Sequence, residues 1–293
     1  MASAEIEQVL QYLDKHRPAQ RSLEGARAYL EAMVAMEPPP ADVAVEEITV
    51  GGVRAERLVP PGADPTRALL YLHGGGYALG SAKAYRPFTA RVAHEFGGPT
   101  VVINYRLAPE HPFPAGLEDA VAAIRALSAE RGGEQLVLCG DSAGGGLALA
   151  AMISLRDQGH PLPAAAALLS PWVDLDGAAE PNAMRAALDP IITPEAVTNL
   201  GSMYVGQGDK KNPLVSPTYA NLTGLPPLLV HMGTRELQYD DALAFVEKAR
   251  GAGVSVDLQI WDEMLHVFQL FPVLPESRRA LAGIAAFLRK QVA

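Results

Sequence analysis

The sequence predicts an α/β domain built on an eight-stranded, mostly parallel sheet with helices on both faces. Three observations carry this. From residue 68 onward short apolar runs alternate with longer helical segments, the rhythm of repeated β-α units. Ahead of them, residues 43–50 and 53–59 alternate apolar and charged side chains around Gly51-Gly52, the pattern of a β-hairpin. Finally, Gly140-Asp141-Ser142-Ala143-Gly144 lies between the short apolar run 135–139 and a longer stretch rich in Ala and Leu. The first reads as a buried strand and the second as a buried helix, so Ser142 sits where a strand turns directly into a helix.

In chain order, residues 5–16 and 22–36 read as amphipathic helices. Ile6, Val9, Leu10 and Leu13 share one face of the first, and Leu23, Ala26, Tyr29, Leu30, Met33 and Val34 one face of the second. Pro38-Pro39-Pro40 ends this section. After the hairpin come strand 68–73, the loop Gly74-Gly75-Gly76, helix 84–96 and strand 100–105. A proline-rich loop, 106–114, leads to helix 115–131, then to strand 135–139 and the helix after Ser142. Strand 164–169 ends at Ser170-Pro171-Trp172. Residues 173–225 break the rhythm with one helix, 194–205, between polar loops; an insertion that long is more often functional than idle. Strand 227–232, helix 240–251, strand 254–261 and helix 276–291 complete the pattern.

Composition removes several function classes. At 293 residues the chain suffices for one large domain, or one domain with a lid. A net charge of −9 without a basic patch argues against a nucleic-acid partner. Cys139 is the single cysteine, so neither an internal disulfide nor a cysteine-based zinc site fits, and no metal is expected. No apolar run approaches the ~20 residues of a membrane span. The first residues lack a basic segment followed by an apolar one, which makes the cytoplasm the expected location.

The Ser142 turn has the form G-x-S-x-G, which raises a serine hydroxyl over a helix N-terminus. Such a hydroxyl needs a base. Among the seven histidines, His16, His94 and His160 lie in or after helical stretches with charged neighbours, His111 is in the proline loop, and His231 lies within a strand. His266 follows the last strand, on the sheet edge where the strand C-termini gather and where Ser142 also sits. The base in turn needs an acid. The loop after strand 227–232 offers Glu236, nearest the strand end; Asp240 or Asp241 reads better as a cap of the following helix. Acyl transfer also requires donors for a developing oxyanion, and His73-Gly74-Gly75-Gly76 after a strand supplies bare N–H groups. G-x-G-x-x-G, G-x-x-x-x-G-K-[ST] and H-E-x-x-H are absent.

Together these residues resemble the hormone-sensitive-lipase family of α/β-hydrolases, the bacterial family IV esterases. The likeness covers about residues 40–293. It rests on His73-Gly74-Gly75-Gly76-Tyr77, on residues 105–115 (YRLAPEHPFPA), on Gly140-Asp141-Ser142-Ala143-Gly144 and on the segment around His266. The resemblance implies Ser142 as nucleophile, His266 as base, and the N–H groups of Gly75, Gly76 and Ala143 as oxyanion hole. It implies a cap built from about residues 1–40 and 175–215, on catalytic segments 41–174 and 216–293. Tyr77, Trp172, Met203 and Tyr204 are the expected pocket residues. The substrates it implies are small esters of short and medium acyl chains, with no cofactor, and pairing of two copies through the last strand and helix. One departure concerns the acid, usually Asp in this family: its place holds Glu236, with Asp240 as the alternative. Two other functions compete with a carboxylesterase: an amidase using the same triad, and a small-molecule receptor on the same fold. The receptors of this fold have lost the catalytic histidine, whereas His266 is present.

Overall fold

A computed structural model describes residues 2–16, 22–131, 135–177 and 183–292. Residues 178–182 of the long insertion, and 1 and 17–21 of the expected N-terminal cap segment, therefore lie outside the described residues. The chain runs α1 (Ile6–His16), α2 (Leu23–Val34), β1 (Ala44–Val50), β2 (Val53–Val59), β3 (Ala68–Leu72), α3 (Ala82–Phe96), β4 (Thr100–Ile103) and α4 (Ala115–Arg131). It continues through β5 (Leu136–Asp141), α5 (Ala143–Asp157), β6 (Ala165–Leu169), α6 (Ala183–Leu188) and α7 (Pro194–Val205). The last elements are β7 (Leu228–Gly233), α8 (Tyr239–Gly251), β8 (Val256–Trp261) and α9 (Pro275–Gln291).

The eight strands form one sheet in the order β1-β2-β4-β3-β5-β6-β7-β8. β2 runs antiparallel to β1 and β4, and all other neighbours are parallel. Side chains alternate across a strand, and here both faces are covered. Leu69, Tyr71, Val137, Cys139, Ala167 and Leu169 pack on the side of α1, α3 and α9. Leu70, Leu72, Leu138, Ala166, Leu168 and Val230 pack on the side of α4, α5 and α8. Burial on both faces explains why the central strands read as unbroken apolar runs. Cys139 is a free, buried thiol in this core.

The expected elements are present, with differences at their ends. Helix α3 starts at Ala82 rather than 84, because Ser81 caps it by accepting from Ala84 N at 3.1 Å. Strand β5 runs on through Asp141, directly into the Ser142 turn. β4 stops at Ile103, short of 105, and β8 begins at Val256 rather than 254. α6 was not expected: six residues are too few for apolar periodicity to register. α7 matches the expected helix 194–205, and its start is fixed by Thr193 accepting from Ala196 N and by Pro194 in the first turn. Among the described residues no helix is long and apolar enough to cross a membrane.

Candidate active site

The turn between β5 and α5 is held in a conformation that L-residues rarely adopt. Ser142 has φ 51° and ψ −119°, a strained backbone kept only where its surroundings determine it. They do: Ser142 N donates to Leu169 O at 2.8 Å, and Ser142 O accepts from Trp172 N at 2.9 Å and Gly146 N at 3.1 Å. The flanking glycines are required by close approach. A methyl group at Gly144 would overlap Leu72 O, and one at Gly140 would stand 2.6 Å from Gly144 O. The serine is thereby fixed beyond the strand ends, 8% exposed.

His266 and Glu236 form a buried pair. Nδ1 of His266 donates to Glu236 Oε2 at 3.0 Å, with both side chains buried. The other oxygen of Glu236 accepts from Ser170 Oγ at 2.8 Å and from the Gly233 N–H. Ser170, itself at φ 49°, accepts from Val267 N at 3.0 Å, so one hydroxyl ties the carboxylate to the backbone beside His266. Burial raises the Glu236 pKa, opposed by its bonds from His266, Gly233 and Ser170. Burial pushes His266 down, but the Glu236 carboxylate pulls it up and prevails, leaving the imidazole above its ordinary pKa. With Nδ1 committed, Nε2 is buried and has no hydrogen-bond partner among the described residues. Both Ser142 and His266 line one cavity of about 570 Å3.

The glycine loop after β3 forms another wall. Gly75 and Gly76 line the cavity at φ 107° and 60°, the left-handed region glycine tolerates. A methyl on Gly76 would press to 2.6 Å from Leu200 Cδ1. Among the described residues the N–H groups of Gly75, Gly76 and Ala143 donate to no protein acceptor. Sequence reasoning missed what anchors this loop. Asp141, the residue before Ser142, is fully buried and accepts from Gly74 N at 2.9 Å, Tyr71 OH at 2.6 Å and Tyr85 OH at 3.0 Å. Burial lifts its carboxyl to about 6 against those bonds. Serine turn and glycine loop are thus fastened through one carboxylate.

Two of the four expected pocket residues, Trp172 and Met203, line the cavity. Tyr77 and Tyr204 do not. Their rings stack on each other, 3.8 Å between centroids and 8° between planes, with Phe113 edge-on to Tyr204, so their faces are spent inside the protein. Asp240 is also elsewhere. Its carboxylate pairs with Arg185 of α6 at 3.2 Å, and Arg185 also donates to Thr234 O at 2.6 Å. Asp240 lies in the first turn of α8 but does not cap it; Gln238 is the N-cap residue, without a side-chain cap bond. Among the described residues no other histidine lines the cavity. His73 donates to Gly74 O at 2.8 Å and stacks on Tyr105, and burial lowers His73 and His231 each to about 4. Among the described residues no cluster of three or more His, Cys, Asp or Glu could hold a metal ion.

A strained serine, a carboxylate-held imidazole and a glycine loop on the carboxyl edge of such a sheet define a hydrolase of the α/β class. The family described as alpha/beta hydrolase fold matches residues 69–270. An acetyl-hydrolase of Streptomyces hygroscopicus is 44% identical over 254 residues, 86% of this chain and 83% of its own. Carboxylesterase NlhH of Mycobacterium tuberculosis is 32% identical over 99% of this chain and 97% of its own. An esterase of the bacterial hormone-sensitive lipase family superposes with a TM-score of 0.95 at 42% identity, covering all of both chains. EstE5, soaked with p-nitrophenyl butyrate, gives 0.92 at 39% identity over 99% of each. The chain belongs to the bacterial hormone-sensitive-lipase family of esterases, and its enzyme class is carboxylesterase.

Proposed function

We propose that the enzyme hydrolyses small esters of short- to medium-chain acids through a Ser142–His266–Glu236 triad and an acyl-enzyme. The observation that carries this is the state of His266: Nδ1 is fixed on a buried carboxylate at 3.0 Å while Nε2 is unpartnered beside the cavity that Ser142 lines. In this reading Ser142 Oγ attacks the ester carbonyl carbon and His266 Nε2 takes its proton. The negative charge formed on the carbonyl oxygen is met by the N–H groups of Gly75, Gly76 and Ala143. Collapse breaks the bond to the alkoxy oxygen, which leaves as alcohol with the proton from Nε2. Water then attacks the acyl carbon, gives a proton to Nε2, and the second collapse returns it to Ser142 Oγ as the acid departs. Glu236 stays ionised, holding the tautomer and stabilising the imidazolium.

Helices α2 and α7, which both line the cavity, serve in this account as the cap. α1 instead buries Ile6, Val9 and Leu13 on the α3–α9 face, and Ser3 bonds to Glu276 of α9 at 2.8 Å. The free edge of β8, where Ile260 is 41% exposed, is the surface proposed for pairing with a second copy. The test is Ser142→Ala, assayed on p-nitrophenyl butyrate and its matched anilide. The variant should fold and lose on the order of 10⁴ or more in kcat on the ester, because triad members act as a unit. Wild-type-like turnover by the variant would remove Ser142 from the mechanism, and faster wild-type cleavage of the anilide would make the enzyme an amidase.

A further inference from the structure

The turn that carries the glycine loop is strained. Gly75, Gly76 and Tyr77 lie in succession at φ 107°, 60° and 60°. Glycine tolerates that region, but a bulky residue such as Tyr77 is rare there and stays only where its surroundings hold it. Upstream, Asp141 holds the loop through Gly74 N. The turn then closes on itself, Gly75 O accepting from Ala78 N at 3.1 Å and from Leu79 N at 2.9 Å. Its far end is held from helix α2.

Arg27 of α2 donates from Nε to Ala78 O at 2.9 Å and from Nη2 to Ala108 O at 3.2 Å. Ala78 and Ala108 are both fully buried. Ala108 N in turn donates to Tyr77 O at 2.9 Å. One guanidinium therefore braces both sides of the contact that holds the strained tyrosine. Glu110 fixes the guanidinium with a bond to each Nη at 2.8 Å, its own side chain half-exposed. Leu30 lies three residues further along α2, a spacing that puts two side chains on one helix face. It covers the near end of the turn: a methyl on Gly75 would stand 3.0 Å from Leu30 Cδ2. Leu30 lines the cavity and Arg27 does not, so Arg27 acts on the loop and not on substrate.

Donors serve an oxyanion only if they are already aimed where the charge develops. A side chain that clamps the turn keeps that aim. Replacing Arg27 by Met fills similar space but leaves two buried carbonyls short of a donor, which is costly. The strained turn is then free to relax.

We propose that Arg27 is a positioning residue of the oxyanion hole: by holding the carbonyls of Ala78 and Ala108 it fixes the turn whose Gly75 and Gly76 N–H groups meet the developing charge. The proposal rests on the reading of those glycines as the oxyanion hole. The experiment compares p-nitrophenyl butyrate with its thiono counterpart, in which sulfur replaces the carbonyl oxygen. Sulfur is a weaker acceptor on a longer bond, so donors placed for oxygen favour the ordinary ester. The preference is the ratio of the two kcat/KM values, divided by the ratio of the rates with hydroxide. It cancels any general loss of activity in a variant.

The wild type should prefer the oxygen ester, and Arg27→Met should lower that preference several-fold. On p-nitrophenyl butyrate its kcat should fall on the order of tenfold, short of the roughly 10²–10³ lost when an oxyanion donor is removed outright. KM should change little, because the bond is made in the transition state, and the acid limb of the pH profile should stay in place because His266 is untouched. Arg27→Lys, which keeps the charge but loses the planar fork, should fall between. Glu110→Gln, which removes only the ion-pair charge, should match wild type. A wild-type preference in both Arg27 variants overturns the proposal, and if Arg27→Met does not fold, Arg27→Lys decides alone. A preference lowered as far by Glu110→Gln as by Arg27→Met also overturns it, since the ion pair and not the carbonyls would then matter. A wild type with no preference at all removes the oxyanion-hole reading itself, a failure that no Arg27 variant can produce.

Discussion

Glu236 reaches His266 with one methylene more than the aspartate usual in this family, and its second oxygen shows how the extra length is held. Ser170 Oγ and Gly233 N–H both bind Oε1, leaving Oε2 aimed at Nδ1 of His266. Glu236→Gln keeps the shape and removes the charge. Loss of that charge costs about 10⁴ in kcat in serine-protease triads, so a loss on the order of 10³ or more is expected here. Glu236→Asp should be impaired but faster than Gln, since charge survives while the contact lengthens; equal rates for the two would argue that length alone matters. The pH profile separates charge from geometry. In the proposed mechanism His266 is the base only when neutral, and its pKa is raised from the ordinary histidine value because Glu236, with Asp189 and Asp141, together outweigh burial. Wild-type kcat/KM should therefore fall on the acid side at a higher pH than an unperturbed histidine would give. In Glu236→Gln the chief raising partner loses its charge, leaving Asp189 and Asp141 against burial, so the residual activity should persist to lower pH than in wild type. An acid limb that stays put would contradict the pairing.

At the scale of elements, the links that matter join segments far apart in sequence. Asp189 fastens the end of α6 and the following turn to the start of α8, across 48 positions. Asp189→Ala would strand the buried N–H of Leu237 and the part-buried N–H groups of Ile191 and Ile192, a loss on the order of 1–3 kcal/mol. Urea unfolding should show it, and KM for p-nitrophenyl butyrate should rise as the cavity wall loosens; a variant unchanged in both would make the lock dispensable. Asp240→Asn, by contrast, loses a pair with Arg185 in which the carboxylate is exposed. It should cost at most about 1 kcal/mol with near-normal kcat, whereas an inactive variant would reopen Asp240 as the acid. These contrasts mark what the sequence could reveal. Ser142, His266 and Glu236 were legible because each stands just beyond a strand whose apolar run is unmistakable. Asp141, Ser170 and Asp189 were not, because their partners come from other segments and no spacing records them. Tyr77 and Tyr204 were misplaced for a related reason: aromatics near a motif read as pocket lining, and only the fold shows them stacked on each other.

For the molecule as a whole, the sheet gathers the serine turn, the glycine loop and the loops after β7 and β8 on one edge, and residues of α2 and α7 line the cavity there. A cavity of about 570 Å3 is of the size that encloses a small ligand. Acyl chains of about two to eight carbons should be preferred, and faster hydrolysis of emulsified long-chain triglycerides than of p-nitrophenyl butyrate would contradict a site of this size. The central claim, that the fold activates one serine through His266 and Glu236, is tested most directly by covalent labelling. The native enzyme and Glu236→Gln are treated with a fluorophosphonate, which reacts with activated serines, and the modified peptide is located by mass spectrometry while the labelling rate is followed. The account predicts a single modification on Ser142, formed rapidly in wild type and orders of magnitude more slowly in Glu236→Gln. A label on another residue, or equal rates in the two proteins, would contradict it.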